Sequence, residues 1–292
     1  MTQTLTEIRA LLASRGVRPK HRFGQNFLHD HNILRILVDA ADLAPGHAGR
    51  AMAPLVLEVG PGTGALTELL LERGARVIAC EIDRDMASIL RERVLPRAEG
   101  RLAIVEGDCL ENSRTLSATL RAALAAHGAE RGFRLVANLP YGCATPLLTT
   151  LLVEHPECER LHATIQREVA DRLVASPRSD AYGPIRVLVS MLAKCEHTAE
   201  VSPGCFWPEP EVTSAIVSIA PRARNELALE LRTPDGCRRF DRFVTESFSR
   251  RRKQIGTILG RSFPFPAGID AKQRPEELSP AQWLELWRLT QV

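Results

Sequence analysis

Apolar residues follow two rhythms along this chain. From residue 55 to residue 221, short apolar runs alternate with stretches in which leucine and alanine recur at helical spacing. The runs, residues 54–59, 76–82, 102–105 and 133–137, predict buried strands, and the periodic stretches, 65–73, 85–94 and 115–126, predict helices. Gly74 stops the first helix. Further elements are expected at 161–166, 167–175, 185–195 and 212–219. Such alternation needs crossover connections, so it predicts an α/β fold with a largely parallel sheet covered on both faces. In that architecture ligands sit beyond the carboxyl ends of the strands. After Pro221 the rhythm changes: Phe240, Phe243, Val244, Phe248, Ile255, Ile258 and Leu259 fall mostly at helical intervals. A proline-rich stretch at 263–267 leads to Ser279-Pro280-Ala281-Gln282, a capping-box helix start with Trp283, Leu286 and Trp287 on one face. The expected organisation is an α/β domain over residues 1–221 and a small all-helical domain over 222–292, with no repeat and no low-complexity segment.

One polar tip interrupts the apolar pattern. Asn138-Leu139-Pro140-Tyr141 ends the fourth run and precedes Thr145-Pro146-Leu147-Leu148, a helix start with proline in its first turn. An amide oxygen, carbonyls freed by the proline turn and an aromatic face suit a planar base with an exocyclic amine. Standing alone, the tetrapeptide reads as readily as a proline turn with a half-buried tyrosine. A second tip, Glu58-Val59-Gly60-Pro61-Gly62-Thr63-Gly64, closes the first strand and opens the first helix. The spacing Gly60-x-Gly62-x-x-Ala65 fits a dinucleotide fingerprint, and Glu81 stands about twenty residues on, where a ribose-binding acid belongs. A nicotinamide-dependent oxidoreductase is therefore a competing reading. Gly64 adds a point of close approach, and Glu58 sets a carboxylate before the turn, unfavourable beside a pyrophosphate but suited to a cation. S-adenosylmethionine carries a sulfonium and an ammonium and no phosphate. Asp108 is placed to accept from its adenine amine and Glu81 to hold its ribose hydroxyls.

Composition narrows the partners. The chain has 292 residues, 45% hydrophobic and 25% charged, with a formal net charge of +3, which excludes a global polycation. Basic residues nevertheless cluster at Arg15, Arg18, Lys20 and Arg22, and again at Arg238, Arg239, Arg242 and Arg250-Arg251-Arg252-Lys253. Local clusters on a near-neutral chain suit a phosphate-tracking surface. The 7 cysteines are scattered, with no Cys-x-x-Cys pair, which argues against a disulfide framework and a structural zinc site. The first twelve residues contain Glu7 and lack a long apolar core, so they do not read as a secretory signal. No run approaches membrane-spanning length, and a reduced cytoplasmic compartment is expected.

A set of motifs in fixed order then resembles one family. These are Lys20 through Leu28, the Glu-Val-Gly-Pro-Gly-Thr-Gly loop, Glu81-Ile82-Asp83, Asn138-Leu139-Pro140-Tyr141, Gln166-Arg167-Glu168-Val169 and Phe206 through Ala215. Together they look like the ribosomal RNA small-subunit adenine N6-dimethyltransferases (the KsgA/RsmA type), and the likeness extends through Phe248–Lys253 and Gly268-Ile269-Asp270. The resemblance implies a Rossmann-like S-adenosylmethionine-dependent methyltransferase sheet with a small helical C-terminal domain. It implies dimethylation of N6 on two adjacent adenosines in the 3′-terminal hairpin loop of small-subunit ribosomal RNA, with a role in subunit biogenesis. The cofactor set expected on that basis is Gln25, Asn26, Leu28, Glu58, Gly60, Gly62, Gly64, Glu81, Ile82, Asp108, Cys109 and Asn138. Catalysis falls to Asn138, Leu139, Pro140 and Tyr141, with Phe206 stacking opposite Tyr141, and RNA binding to Arg22, Arg250, Arg251, Arg252 and Lys253. The expected partner is small-subunit RNA within an immature particle, bound by a monomer with no metal and no membrane association. Three segments depart from the family pattern: Gly142-Cys143-Ala144 replaces the usual Asn-Ile-Ser, Glu211 and Thr213 stand for Lys and Asp, and Gln254-Ile255-Gly256-Thr257 replaces a Thr-Leu-Arg-Asn run. Competing readings are an RNA-binding assembly factor with little turnover, the oxidoreductase, and a DNA adenine methyltransferase.

Overall fold

The computed structural model describes residues 3–43, 53–260 and 262–291. It opens with helix α1 (Leu5–Ser14), then a two-residue strand β1 (Phe27–Leu28) and helix α2 (His31–Ala40), capped by the Asp30 carboxylate. The main sheet begins with β2 (Leu55–Val59), α3 (Ala65–Glu72), β3 (Arg76–Glu81), α4 (Arg84–Arg93) and β4 (Leu102–Glu106). A small hairpin, β5 (Leu110–Asn112) and β6 (Thr115–Leu116), precedes α5 (Ala118–Ala126), β7 (Phe133–Asn138), α6 (Ala144–Glu154) and β8 (Cys158–Gln166). Then come α7 (Arg167–Val174), α8 (Pro184–Leu192), β9 (Ala193–Val201), β10 (Phe206–Trp207) and β11 (Ser214–Pro221).

The seven-stranded sheet has the order β4-β3-β2-β7-β8-β11-β9. Its first five strands run parallel, whereas β11 is antiparallel to both β8 and β9. The winding direction reverses between β2 and β7, so a crevice opens beyond their carboxyl ends. Strand residues alternate between two buried faces. Leu57, Ile78, Leu135 and Ile165 pack with α5, α6 and α8, while Val56, Val77 and Val136 pack with α2, α3 and α4.

Three expectations need correction. The stretch 185–195 is two elements, because α8 ends at Leu192 and the chain continues into β9. That edge strand carries Lys194, Glu196, His197 and Glu200, so no apolar run announces it. The stretch 115–126 is not one helix: Thr115 and Leu116 pair with the β5 strand, and Ser117 caps a helix that starts at Ala118. Helix α1 had no place in the expected elements, although Thr4 and Glu7 form a capping box at its start.

Beyond Pro221 lie α9 (Pro234–Phe248), α10 (Ile255–Leu259) and α11 (Pro280–Leu289). Their interior is aromatic: Phe240 meets Trp287 at 5.3 Å between ring centroids, and Trp283 meets Phe248 at 5.5 Å and Phe243 at 5.8 Å. The Tyr182 hydroxyl donates to the Leu278 carbonyl at 2.8 Å, and the same buried apolar cluster runs from the sheet into these helices.

Candidate active site

The crevice is bounded first by the turn after β2. Gly60 has φ +72, and a Cβ there would stand 3.0 Å from the Pro140 ring, so this glycine lets the β2 and β7 loops touch. Gly62 has φ +57, and a Cβ would meet the Phe27 ring at 2.9 Å. Its N–H donates to Glu81 Oε2 at 3.0 Å, which ties the turn to the end of β3. Gly64 is the one expected cofactor residue set apart from the crevice. It lies outside the crevice lining, and a Cβ on it would strike Leu90 of α4 and Val94 just after it, so its close approach is to the end of that helix.

The three acids do gather at one crevice. Glu58 is 1% exposed and its Oε2 accepts from the Thr67 hydroxyl at 2.7 Å; burial pushes its carboxyl up to about 8, with Glu81 adding repulsion. Glu81 is also raised by burial, against the N–H groups of Asp83 and Gly62 that its two oxygens accept. Asp108 stands exposed, its Oδ1 accepting from Leu110 N–H at 2.9 Å. Ile82 is 42% exposed beside them, a large apolar side chain left open to the crevice.

On the opposite wall, the Asn138 Nδ2 donates to the Asn26 carbonyl at 3.1 Å. That assignment leaves Oδ1 as the acceptor end of the amide. Leu139 N–H donates to the Thr164 carbonyl of β8 at 3.1 Å, which anchors the turn. Half-buried Tyr141 shares a hydrogen bond of 2.9 Å with Ser214 Oγ, and burial raises its phenol. Phe206 lines the same crevice but is 1% exposed, since Phe206 pairs with Leu28 in the β1–β10 ladder and packs into the core. Cys109 and Cys143 come together where the β4 and β7 loops meet, and the neighbouring Cys143 thiol and burial raise the Cys109 thiol. Cys143 Sγ donates to the Pro140 carbonyl at 3.4 Å, so the departure at Gly142-Cys143-Ala144 has a partner of its own.

The N-terminal segment covers this crevice through contacts the sequence did not announce. Gln25 accepts from Lys20 N–H and donates to Asp83 Oδ2, both at 2.7 Å, while Lys20 Nζ reaches Asp83 and Asp85 at 2.7 Å each. Burial opposes ionisation of Asp83, but the bonds from Lys20 and Gln25 outweigh it and hold the carboxyl below its ordinary range. Helix α1 buries Ile8 and Leu12 against Phe27 and against Met86 and Ile89 of α4, and Gln3 donates to the Thr63 carbonyl at 2.8 Å.

The resulting cleft holds about 410 Å³, within the range of small-molecule sites. It is lined by every expected catalytic and cofactor residue except Gly64, and by Arg22, whose guanidinium lies 4.6 Å over the Phe23 ring. Arg250, Arg251, Arg252 and Lys253 lie elsewhere, in the turn after α9. Among the described residues no cluster of three or more His, Cys, Asp and Glu side chains is arranged to hold a metal, and no helix is long and apolar enough to cross a membrane.

Five parallel strands with a reversal crevice, an antiparallel β11 set between β8 and β9, a glycine turn and an acid at the end of the second main strand make up a Rossmann-like S-adenosylmethionine-dependent methyltransferase fold. Solved structures share this fold. A dimethyladenosine transferase from Plasmodium falciparum superposes with a TM-score of 0.69 at 24% identity, over 89% of this chain and 95% of that one. The 23S rRNA methyltransferase ErmE gives 0.63 at 27% identity, over 91% and 100%. The sequence model described as ribosomal RNA adenine dimethylase matches residues 16–291. Relatives called ribosomal RNA small subunit methyltransferase A include one from Synechococcus, 37% identical over 94% of each chain, and one from Methylococcus capsulatus, 36% identical over 92% of this chain and 97% of that one. The chain belongs to the ribosomal RNA adenine dimethylase family.

Proposed function

We propose that this enzyme transfers two methyl groups to N6 of each of two neighbouring adenosines in the hairpin loop near the 3′ end of small-subunit ribosomal RNA, with S-adenosylmethionine as donor. When bound, that cofactor supplies a methyl group already activated by a positive sulfur. The donor set fits it. Glu81 and Asp108 suit ribose hydroxyls and an adenine amine and oppose a pyrophosphate, Glu58 is held by Thr67 beneath the turn with its carboxyl raised by burial, and exposed Ile82 offers an apolar face to a ring. Those acids weigh against the nicotinamide reading.

The observation that carries the proposal is the Asn138 amide. Its Nδ2 is engaged by Asn26, so Oδ1 is left to accept, and the Leu139 carbonyl, next along the chain, is the second acceptor in this reading. An adenine N6 is a poor nucleophile because its lone pair is delocalised into the ring. Two acceptors that draw its hydrogens out of the ring plane localise that lone pair, and Tyr141 stacks the extruded base. Alignment and acceptor geometry then carry most of the rate, without a strong base. After one transfer the nitrogen keeps one hydrogen, so the same acceptors receive a monomethyl base in a second pose. Residues 1–221 form the catalytic part in this reading, and residues 222–292 face the RNA with Arg250 through Lys253. The protein acts as a monomer in the cytoplasm, on an immature small subunit. Mass spectrometry of small-subunit RNA from cells with and without the protein tests it. The two dimethyladenosines of the hairpin loop should vanish with the protein; their persistence would end the proposal.

A further inference from the structure

We propose that Ser214 is a positioning residue for methyl transfer: through the Tyr141 hydroxyl it fixes the angle at which that ring meets the target base. The inference rests on Tyr141 as the stacking platform. Tyr141 lies on a turn outside any strand, where a ring with two rotatable bonds would otherwise sample several orientations. Its hydroxyl instead ends 2.9 Å from Ser214 Oγ, a normal hydrogen-bond length. The partner is a fixed point. Ser214 is 0% exposed and is the first residue of β11, paired on one side with Gln166 of β8 and on the other with Val201 of β9. The preceding residue is held as well, because the Thr213 carbonyl accepts from Arg167 N–H at 2.9 Å. Leu139 N–H is anchored to the Thr164 carbonyl of β8 at 3.1 Å, so the residues on either side of Pro140 are tied to adjacent strands, Leu139 by its backbone and Tyr141 by its hydroxyl.

The chemistry makes that tether consequential. A stacked base turns with the ring beneath it, and its N6 must lie against Asn138 Oδ1 and in line with the methyl group. Misplacement by an ångström costs up to about 100-fold in rate. The second transfer is more demanding, because the nitrogen carries a methyl group and only one hydrogen to guide it. A loosened ring should therefore slow the second transfer more than the first and let N6-monomethyladenosine accumulate. A hydroxyl pair that merely satisfies two buried oxygens would lower stability and leave the ratio of mono- to dimethyl product unchanged.

The test is a double-mutant cycle on the full-length protein, with unmethylated small subunits as substrate and single-turnover rates read for each transfer. Ser214→Ala and Tyr141→Phe should each slow transfer about tenfold, and the pair together no further, with cofactor affinity by calorimetry unchanged within about twofold. Ser214→Thr keeps the hydroxyl on a strand position that tolerates β-branching, and it should restore both the rate and the product ratio. Losses that multiply in the double variant, wild-type rates for Ser214→Ala, or an unaltered product ratio would each overturn the positioning role. Failure of the wild-type protein to methylate adenosine at all would instead remove the functional reading, and this role with it.

Discussion

The carboxyl end of the parallel strands and the C-terminal helices are both well packed, yet they treat polar groups in opposite ways. At the strand ends, Glu58 and Glu81 are 1% and 4% exposed, and burial raises both carboxyls. In the tail the interior is nearly all ring and aliphatic, with Phe240 and Trp283 fully buried, while Arg250, Arg252 and Lys253 stay in solvent. Burying a carboxylate is costly unless something compensates it. A fold that keeps two of them against one crevice has shaped that place for a ligand, whereas the tail's interior serves stability and its surface faces a partner. Mutations should separate the two regions by which measurement they move.

The largest effect is expected in the tail core. Trp283→Ala removes a ring packed on Phe243 and Phe248 and should cost about 3–5 kcal/mol in denaturant unfolding, with turnover per folded molecule preserved. A loss below about 1 kcal/mol would mean that this cluster is not what holds the tail down. Asn138→Ala should do the reverse. One partly buried hydrogen bond to Asn26 is worth about 1 kcal/mol, so stability changes little, while kcat falls about 10²–10³-fold with cofactor affinity largely kept. Turnover near wild type would remove the acceptor role of the amide.

The same contrast explains what was legible beforehand. Strands β2, β3 and β7 are buried on both faces, so each is a continuous apolar run in the sequence. Edge strand β9 is half polar and leaves no such run. The glycine turn and the Asn138 tip were readable because their chemistry is local, compressed into a few consecutive residues. The contacts that complete the site are not local. Gln25 meets Asp83 across 58 positions, Lys20 meets it across 63, and Tyr141 meets Ser214 across 73. No short-range pattern encodes such pairs. Helix α1 is a different case, because its capping box at Thr4 and Glu7 is a local signal.

A smaller effect sharpens the account of the buried acids. Glu58 has its carboxyl raised from 4.5 to about 8, so the folded state binds more protons than the unfolded one between those values. Its contribution to stability is therefore fully present below about 4.5 and is lost as pH rises through about 8. Glu58→Gln keeps an acceptor for Thr67 and removes the titration, so it should flatten the fall in stability across that window. An unchanged slope between the two variants in chemical denaturation would show that Glu58 titrates normally.

The smallest effect lies in the basic turn after α9, and the structure divides that cluster. Arg251 already donates to the Asp180 carbonyl at 3.2 Å and lies 3.6 Å from the Glu276 carboxylate, whereas Arg250, Arg252 and Lys253 are exposed. A guanidinium held by protein acceptors releases few counterions when RNA binds, while an exposed cation on a phosphate contributes about 0.7–0.9 to the slope of log K against log salt. Single substitutions to glutamine should therefore lower the salt slope by about that amount at Arg250 and at Lys253, and by much less at Arg251. Arg251 should show itself in stability instead, because it bridges the α9 turn to the segments around residues 180 and 276. Equal slopes for all three variants and the wild type would detach this surface from RNA altogether. An Arg251 variant as salt-sensitive as the others would mean that the guanidinium leaves Glu276 when RNA arrives.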